Sequence, residues 1–553
     1  MNFNKKHLSF MGIFLLSIML LWGCASNENN PEKDEDNMSS GEETDGDLEF
    51  HLGGVINPEG VTNFNPLLST GNYDQLFEYL YDPLFYFNPI DGELIGMLAS
   101  GEGELSEDEK TYTLNLKENI QWHDGEEFTA EDIVYTFNAL NESKTLDRYN
   151  IWGENRLKEV TATADDVVTF KLGDAFPSFE YYLTTVRIVP EHIFSEEDPA
   201  TFLNKEPIGT GLFKFDNVNE SAINLVRNDD YYDNPANIDK LVIDRFNDSS
   251  ALTLALEKGE IDASDGTIAM GNIPKLLENE DNDIQVYPGL DNFSVVMNNK
   301  KEGLDNPTIR RAIQLSVDQK SLIEKAEMDM VYPANPGFLS DTFADMVDES
   351  LFENTNYHFN IDEATKLIES EGYEKNKQGI FEKDGEELSF TYHMPSNAPA
   401  QNKEGNMISQ WLEEAGIKIQ MNLATGSELT KLAMSGDYDL IQLGLGTPPD
   451  PQAALEIFHS KMSAPIGENT QGLNYMRYED EQVDEWLDEA FSAGPEERKE
   501  LYGKIQNRIA EAAPFAPMYN VGGHIPYSSK KFTNFNKDVS IISSLSLRQV
   551  QAN

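Results

Sequence analysis

Three groups of residues in this chain are of types that do chemistry. His123 and Asp124 stand side by side in Trp122-His123-Asp124-Gly125, an imidazole and a carboxylate of the kind used for acid–base work or metal ligation. Gly209 and Gly211 bare the backbone in Pro207-Ile208-Gly209-Thr210-Gly211, as a phosphate cradle requires. Cys24 is the single cysteine. Each group lacks the partners its chemistry needs. The eight histidines form no cluster at metal-ligand spacing, so no metal is expected. The two glycines lack the rest of any nucleotide fingerprint, and no cofactor is expected. Neither His-Glu-x-x-His nor Gly-x-Ser-x-Gly occurs, which argues against a secreted hydrolase. The His123-Asp124 pair reads as the polar turn of a packed corner, with Trp122 in the core.

Cys24 has a different use. Lys5 and Lys6 make the N-terminus positive, and an apolar run extends from Leu8 to Trp22, interrupted only by Ser9, Gly12 and Ser17. The run is short for a membrane span, which needs about 20 apolar residues, and suits an export signal. It closes on Leu21-Trp22-Gly23-Cys24, which resembles the bacterial lipobox, where cleavage precedes a cysteine whose sulfur carries a diacylglycerol. A lone cysteine forms no internal disulfide, and a lipidated one leaves no thiolate for catalysis. Residues 1–23 are therefore expected to be a lipoprotein signal peptide. Cys24 is the expected lipidation site, with the palmitate-type acyl chains as the anchor on the extracellular face of the cell membrane. Residues 24–47 are mostly Asn, Ser, Gly, Asp and Glu and read as an acidic flexible spacer.

About 500 residues follow the spacer, enough for two or three domains and a substantial core. Hydrophobic content of 39% with 10% aromatics is that of a globular chain. The 98 acidic residues against 41 basic ones make nucleic acid and anionic headgroups poor partners. The excess keeps a surface hydrated. It fits equally an ordinary acidic surface protein and one adapted to a salty or alkaline exterior.

The elements that must position any site alternate between strand and helix patterns. Leu48-Glu49-Phe50-His51-Leu52 alternates as an opening strand. Leu76, Tyr79, Leu80 and Leu84 predict a helix over 72–86. Thr111 to Leu116 alternates again. Thr129 is the N-cap of a helix, Asp132 completes a capping box, and Ile133, Phe137 and Leu140 form the apolar stripe.

Several of these segments are similar to the signature of the family 5 solute-binding proteins, the peptide- and nickel-binding lipoproteins of ABC importers. They are Leu105-Ser106-Glu107-Asp108, Thr111-Tyr112-Thr113-Leu114-Asn115-Leu116-Lys117, Trp122-His123-Asp124-Gly125 and Phe128-Thr129-Ala130-Glu131-Asp132-Ile133-Val134. The likeness continues through Gly209-Thr210-Gly211-Leu212-Phe213, Asn228-Asp229-Asp230-Tyr231-Tyr232 and Lys258-Gly259-Glu260-Ile261-Asp262. It runs on through Asn306-Pro307-Thr308-Ile309-Arg310-Arg311-Ala312, Glu371-Gly372-Tyr373, Leu473-Asn474-Tyr475 and Pro514-Phe515-Ala516-Pro517-Met518-Tyr519-Asn520.

The resemblance implies an α/β fold: a two-lobed, periplasmic-binding-protein-like (type II) architecture with an additional subdomain on the first lobe. Lobe one would be 48–81, 204–299 and 516–553, the additional subdomain 82–203 and lobe two 300–515, with crossings near 299–300 and 515–516. It implies a non-enzymatic, monomeric receptor that captures oligopeptides in the interlobe cleft and hands them to ABC permease subunits with their ATPases. The residues it points to are Ser69, Thr70, Gly71 and Asn72 in a loop, and Asp291, Asn292 and Phe293 on a cleft strand. Tyr519 would be an aromatic near the hinge. In Leu445-Gly446-Thr447-Pro448-Pro449-Asp450-Pro451, many peptide binders place an aspartate that holds the ligand's α-amine. Here Thr447 occupies that place and Asp450 falls three positions later. A buried ammonium without a carboxylate is costly. An oligosaccharide stacked on Trp152, Tyr519 or Phe293, or a nickel chelate, is therefore the alternative ligand.

Overall fold

Two β-sheets joined by a single two-stranded ribbon set the architecture of the computed structural model. It describes residues 47–56, 63–68, 75–143, 145–147, 150–153, 156–176, 178–343, 345–396, 398–446, 449–470 and 472–553. The expected export signal, Cys24, the expected spacer up to residue 46, Ser69, Thr70, Gly71, Asn72 and Thr447 lie outside these residues. No helix among the described residues is long and apolar enough to cross a membrane.

The first sheet has seven strands. Its centre is Glu49–Val55, which runs parallel to Lys240–Phe246 on one side and to Ala263–Ser264 on the other. Ala222–Arg227 and Phe213–Val218 extend it one way, His524–Ser528 and Asn282–Val286 the other. The opening alternation is real: Phe50 and Leu52 are fully enclosed and pack on Tyr79, Leu80, Ile243 and Ile541.

The second sheet has six strands in the order Tyr332–Pro333, Phe515–Val521, Asp291–Met297, Leu440–Leu445, Ser389–Pro395, Lys418–Ala424. Both faces are covered. Val295 and Met297 pack with Ile309, Ile313, Leu412 and Tyr392, whereas Val296 packs with Phe338, Phe458 and Phe515. Residues 104–172 supply a separate four-stranded sheet, against which helix Ala130–Glu142 sets Ile133 and Phe137. The α/β, two-lobed type II fold implied by the sequence is the fold observed.

The strand pairing moves the expected crossings. Asp291–Met297 and the strand from residue 516 to 521 are expected in lobe one but belong to the second sheet, where they pair with each other and Asp291–Met297 pairs also with Leu440–Leu445. The chain changes sheet at Tyr287–Leu290 and at Gly522–Gly523. Cross-strand pairing settles membership, and local pattern does not report it. The helix expected over 72–86 is Gln75–Leu80; Pro83 disfavours helical backbone at Asp82, and Phe85–Phe87 is a strand.

The residues that carried the resemblance have structural duties. Thr129 and Asp132 form the reciprocal capping box. Asp132 also accepts from the indole of Trp122 at 3.4 Å and from the Glu191 amide at 3.0 Å. His123 accepts from the Gly209 amide through Nδ1 at 3.1 Å, and its Nε2–H donates to Gly211 O at 3.0 Å. Burial lowers its pKa to about 4, so it is neutral and both nitrogens are occupied. A Cβ at Gly209 would meet Leu80 O at 1.8 Å, so that turn is packed on protein and cradles no phosphate.

Arg310, on helix Pro307–Leu315, clamps the segment leading to the second crossing. Its Nε donates to the carbonyls of Ala512 and Ala513, both at 3.2 Å, Nη2 to Ala512 at 2.7 Å and Nη1 to Leu304 at 2.8 Å. The first two carbonyls end helix Pro495–Ala512, where a cation is favoured. Arg310→Ala leaves three enclosed carbonyls unpaired and is expected to cost roughly 3 kcal/mol in urea unfolding. Arg310→Lys should recover less than half, because one ammonium cannot reproduce the fork.

Candidate functional site

The two crossings run side by side and continue the antiparallel pairing of both sheets. Val286 pairs with His524 in the first sheet, the Tyr287 amide donates to Gly523 O at 3.1 Å, and Asp291 pairs with Val521 in the second. Backbone meets backbone here. A Cβ on Gly289 would lie 1.7 Å from Val521 O, and one on Gly522 would lie 1.7 Å from Tyr287 O. Only glycine allows this approach.

A cavity of about 490 Å³ opens beside the ribbon, a volume in the range of small-ligand sites. Its lining includes Gln75, Glu78, Tyr86, Asp265, Tyr287 and His524. Burial raises the Glu78 pKa to about 7, although the Ser544 amide donates to Oε1 at 3.1 Å and Arg187 favours the anion. Burial also raises the Asp265 pKa against hydrogen bonds from Thr267, whose amide reaches Oδ1 at 3.0 Å.

In the second sheet, Phe293 and Tyr519 are cross-strand neighbours and stack nearly parallel, 3° apart with ring centres at 5.4 Å. The Tyr519 hydroxyl donates to Glu404 Oε1 at 3.0 Å, and the Gln442 amide donates to Oε2 at 2.6 Å. Burial and a hydrogen bond with Glu327 push the Glu404 pKa up.

Residues 85–182 also touch the second lobe. Thr342 Oγ1 donates to Pro89 O at 3.2 Å, Phe87 meets Phe343 at 6.3 Å, and Phe176 stacks on Phe491 at 6.2 Å. Asp450 bonds with the Ser178 hydroxyl. The geometry is a ligand-sized cavity beside the crossings, lined by the first lobe, by Tyr86 and Phe87 and by the crossing segments themselves.

A family model described as bacterial extracellular solute-binding proteins, family 5 Middle, matches residues 93–464. The chain belongs to this family. It is 25% identical over 554 residues to the oligopeptide-binding protein AppA of Bacillus subtilis, with 95% of each chain covered. Among solved structures, the ABC transporter substrate-binding protein CtaP of Listeria monocytogenes aligns with a TM-score of 0.77 and 24% identity, covering 92% of this chain and 100% of that one. The mannohexaose-bound periplasmic oligopeptide-binding protein of Thermotoga maritima aligns with a TM-score of 0.69 and 20% identity, covering 92% and 99%.

Within this family 5 protein, the residues singled out by sequence are dispersed. Asp291 is exposed at the mouth of its strand, where Oδ1 would stand 3.4 Å from a Cβ on Gly446, next to Thr447. Asn292 is fully enclosed, accepts from the Ser294 hydroxyl and donates to Phe338 O at 3.4 Å. Tyr519 is 4% exposed with its hydroxyl turned inward on Glu404, so it presents no open aromatic face. Phe293 is half-buried against it. Trp152, the candidate sugar platform, instead donates its indole N–H to Phe137 O at 2.8 Å within the additional subdomain.

Asp450 is the N-cap of helix Pro451–Glu456, accepting from the Ala453 amide at 2.6 Å. The sequence reading missed Glu78, Asp265 and His524. Asp265, in the Ala263-Ser264-Asp265-Gly266 turn, carried the one available signal, an acid beside a glycine at a strand end.

Burial raises the Asp450 pKa to about 6. The folded state therefore holds a proton that the unfolded chain releases near pH 4, and stability falls as pH rises from about 4 to about 6. Asp450→Asn keeps the cap and removes this penalty. Its melting temperature should match that of the parent at pH 4 and exceed it by a few degrees at pH 8, read by calorimetry. Gly522→Ala should cost about 2 kcal/mol or more in denaturant unfolding, because its Cβ meets a main-chain carbonyl that cannot yield without splaying the ribbon.

Proposed function

We propose that this protein is the substrate-binding lipoprotein of an ABC importer, capturing oligopeptides between its lobes and delivering them to permease subunits served by ATPases. The observation that carries this reading is the cavity at the only two chain crossings seen among the described residues. A ligand touching both sides of such a junction favours the closed form, which a transporter can tell from the empty one. Family membership and the oligopeptide-binding relative of matching length support the peptide assignment. We take lobe one as 48–81, 204–286 and 524–553, the additional subdomain as 82–203, and lobe two as 291–521. The loop Ser69, Thr70, Gly71 and Asn72 stays among the proposed contacts on the strength of the family likeness. Asp291, Phe293 and Thr447 complete the proposed contacts. The protein carries its ligand unchanged, as a monomer tethered through Cys24.

The mannohexaose in the Thermotoga maritima relative, together with threonine at position 447, favours an oligosaccharide as the second reading. Native mass spectrometry of the purified chain from residue 25, followed by calorimetry with a peptide library and with oligosaccharides, separates the two. Peptide adducts and peptide binding are expected; a protein that retains oligosaccharide and ignores every peptide overturns the first reading. For the tether, labelled palmitate should enter the wild-type chain and be absent from Cys24→Ser, which should appear in the medium. Equal labelling of both would sink the lipid anchor.

A further inference from the structure

Two acids meet inside lobe two with no cation between them. Glu404, on helix Pro399–Glu414, is fully enclosed, and Glu327, at the end of helix Gln319–Ala326, is 4% exposed. The two carboxyls are hydrogen-bonded to each other. A pair of carboxylates offers acceptors only, so this contact needs one proton between them. The other groups facing Glu404 are the Tyr519 hydroxyl at 3.0 Å and the Gln442 amide at 2.6 Å, with the Tyr392 hydroxyl behind Gln442 at 3.2 Å. None of these is a cation. The lysines on the same two helices are engaged elsewhere: Lys403 donates to Lys325 O, and Lys325 to Ser321 Oγ at 3.4 Å. Burial and the second carboxyl both raise the Glu404 pKa, because both disfavour its charge.

Glu327 also opens a strap between the lobes. Met328 and Asp329 follow it with φ of 52° and 59°. Two consecutive residues with side chains in the left-handed region are uncommon and strained, so the contacts around them must hold them there. Met330 then packs on the lobe-one cluster that contains Leu252, Ile268 and Ile273. Tyr332 pairs with Asn520 in the second sheet, while its hydroxyl donates at 3.2 Å to the carbonyl of Val286, the last residue of its strand in the first sheet. The main chain of 327–332 therefore belongs to lobe two, and two of its side chains grip lobe one beside the crossing.

We propose that the Glu327–Glu404 pair is a proton-operated fastener for this strap: with one proton shared between the carboxyls, residues 327–332 hold the lobes at a fixed angle, and loss of that proton frees the angle. Two adjoining carboxylates in a dry interior repel. Glu327 is the one that yields, because it stands at a helix end beside a strained pair that relaxes when it swings outward. Met330 and Tyr332 move with it. Because the Glu404 pKa is raised, the fastener is complete below the pKa of a free glutamate and is lost as pH climbs through the folded value. An alkaline exterior loosens the trap. The inference needs the two lobes and not the peptide reading.

The test uses the full chain carrying Cys24→Ser, which removes its single cysteine, with spin labels at Glu220→Cys in lobe one and Lys377→Cys in lobe two, both exposed positions. Pulsed dipolar spectroscopy should give a narrow inter-lobe distance at about pH 7 and one about twice as wide at about pH 10, with helical circular dichroism retained. Glu327→Gln bonds to Glu404 without a shared proton, so its distance should stay narrow at both pH values. Met330→Ala cuts the grip on lobe one, leaves the acids alone, and should be broad already at neutral pH. Tyr519→Phe, the further variant should Glu327→Gln fail to fold, removes a donor that favours the ionised Glu404 and should move the transition to higher pH. A parent distance equally narrow at both pH values overturns the inference, as does broadening that comes only with loss of circular dichroism. A Glu327→Gln chain that broadens like the parent, a Met330→Ala chain as narrow as the parent, or a Tyr519→Phe transition that does not rise overturns it too.

Discussion

The close contact between the two crossing segments is the constraint on which the rest depends. Gly289 and Gly522 let two main chains lie against each other, so that one antiparallel ribbon belongs to both sheets. A ribbon of two strands bends and twists far more readily than a packed sheet, yet it cannot translate one lobe against the other without breaking its cross-strand bonds. It therefore allows rotation and preserves register. The cavity beside it lies at the pivot, where a small rotation changes distances least. Groups there can hold a ligand before the lobes shut, and the more distant contacts form only on closure.

The lobes meet through polar and aromatic groups that differ in kind from the cores behind them. Phe87 against Phe343 and Phe176 against Phe491 are ring pairs, and the Thr342–Pro89 and Asp450–Ser178 contacts are polar. Each is worth about a kilocalorie per mole, so their sum is of the order that a bound ligand can tip. By contrast, Phe50, Tyr79 and Ile243 in one lobe and Val295, Ile313 and Leu412 in the other are fully enclosed, and they fix each lobe as a body that moves whole.

What was legible in the sequence was local. The Thr129–Asp132 cap, the opening alternation at Phe50 and Leu52 and the two-lobed class are each written in short stretches or in family motifs. The place where the chain changes lobe was not, because Asp291–Met297 reads the same whichever sheet it joins; its partners, Val521 and Leu445, are far along the chain. Tyr519 was legible as an aromatic near the hinge, but the direction of its hydroxyl depends on Glu404, on a helix more than a hundred residues away. Glu78 and Asp265 look like ordinary polar residues of a helix and a turn. Only tertiary burial marks them out, and burial of a carboxylate leaves no trace in residue spacing.

The interior acids also qualify the meaning of a net charge of −57. That figure counts every carboxyl as ionised, yet burial raises the pKa of Asp82 and Asp450 to about 6 and of Glu78 to about 7, and it raises that of Glu404 as well. Each raised group binds its proton more tightly in the folded state. Each therefore adds stability that is complete below its unfolded pKa and is lost as pH climbs through its folded one. The surface acids act otherwise: their repulsion is screened by salt and leaves the folded protein hydrated. Salt and pH accordingly act on different sets of carboxyls in this molecule. Added salt relieves the surface, whereas only a proton relieves the interior.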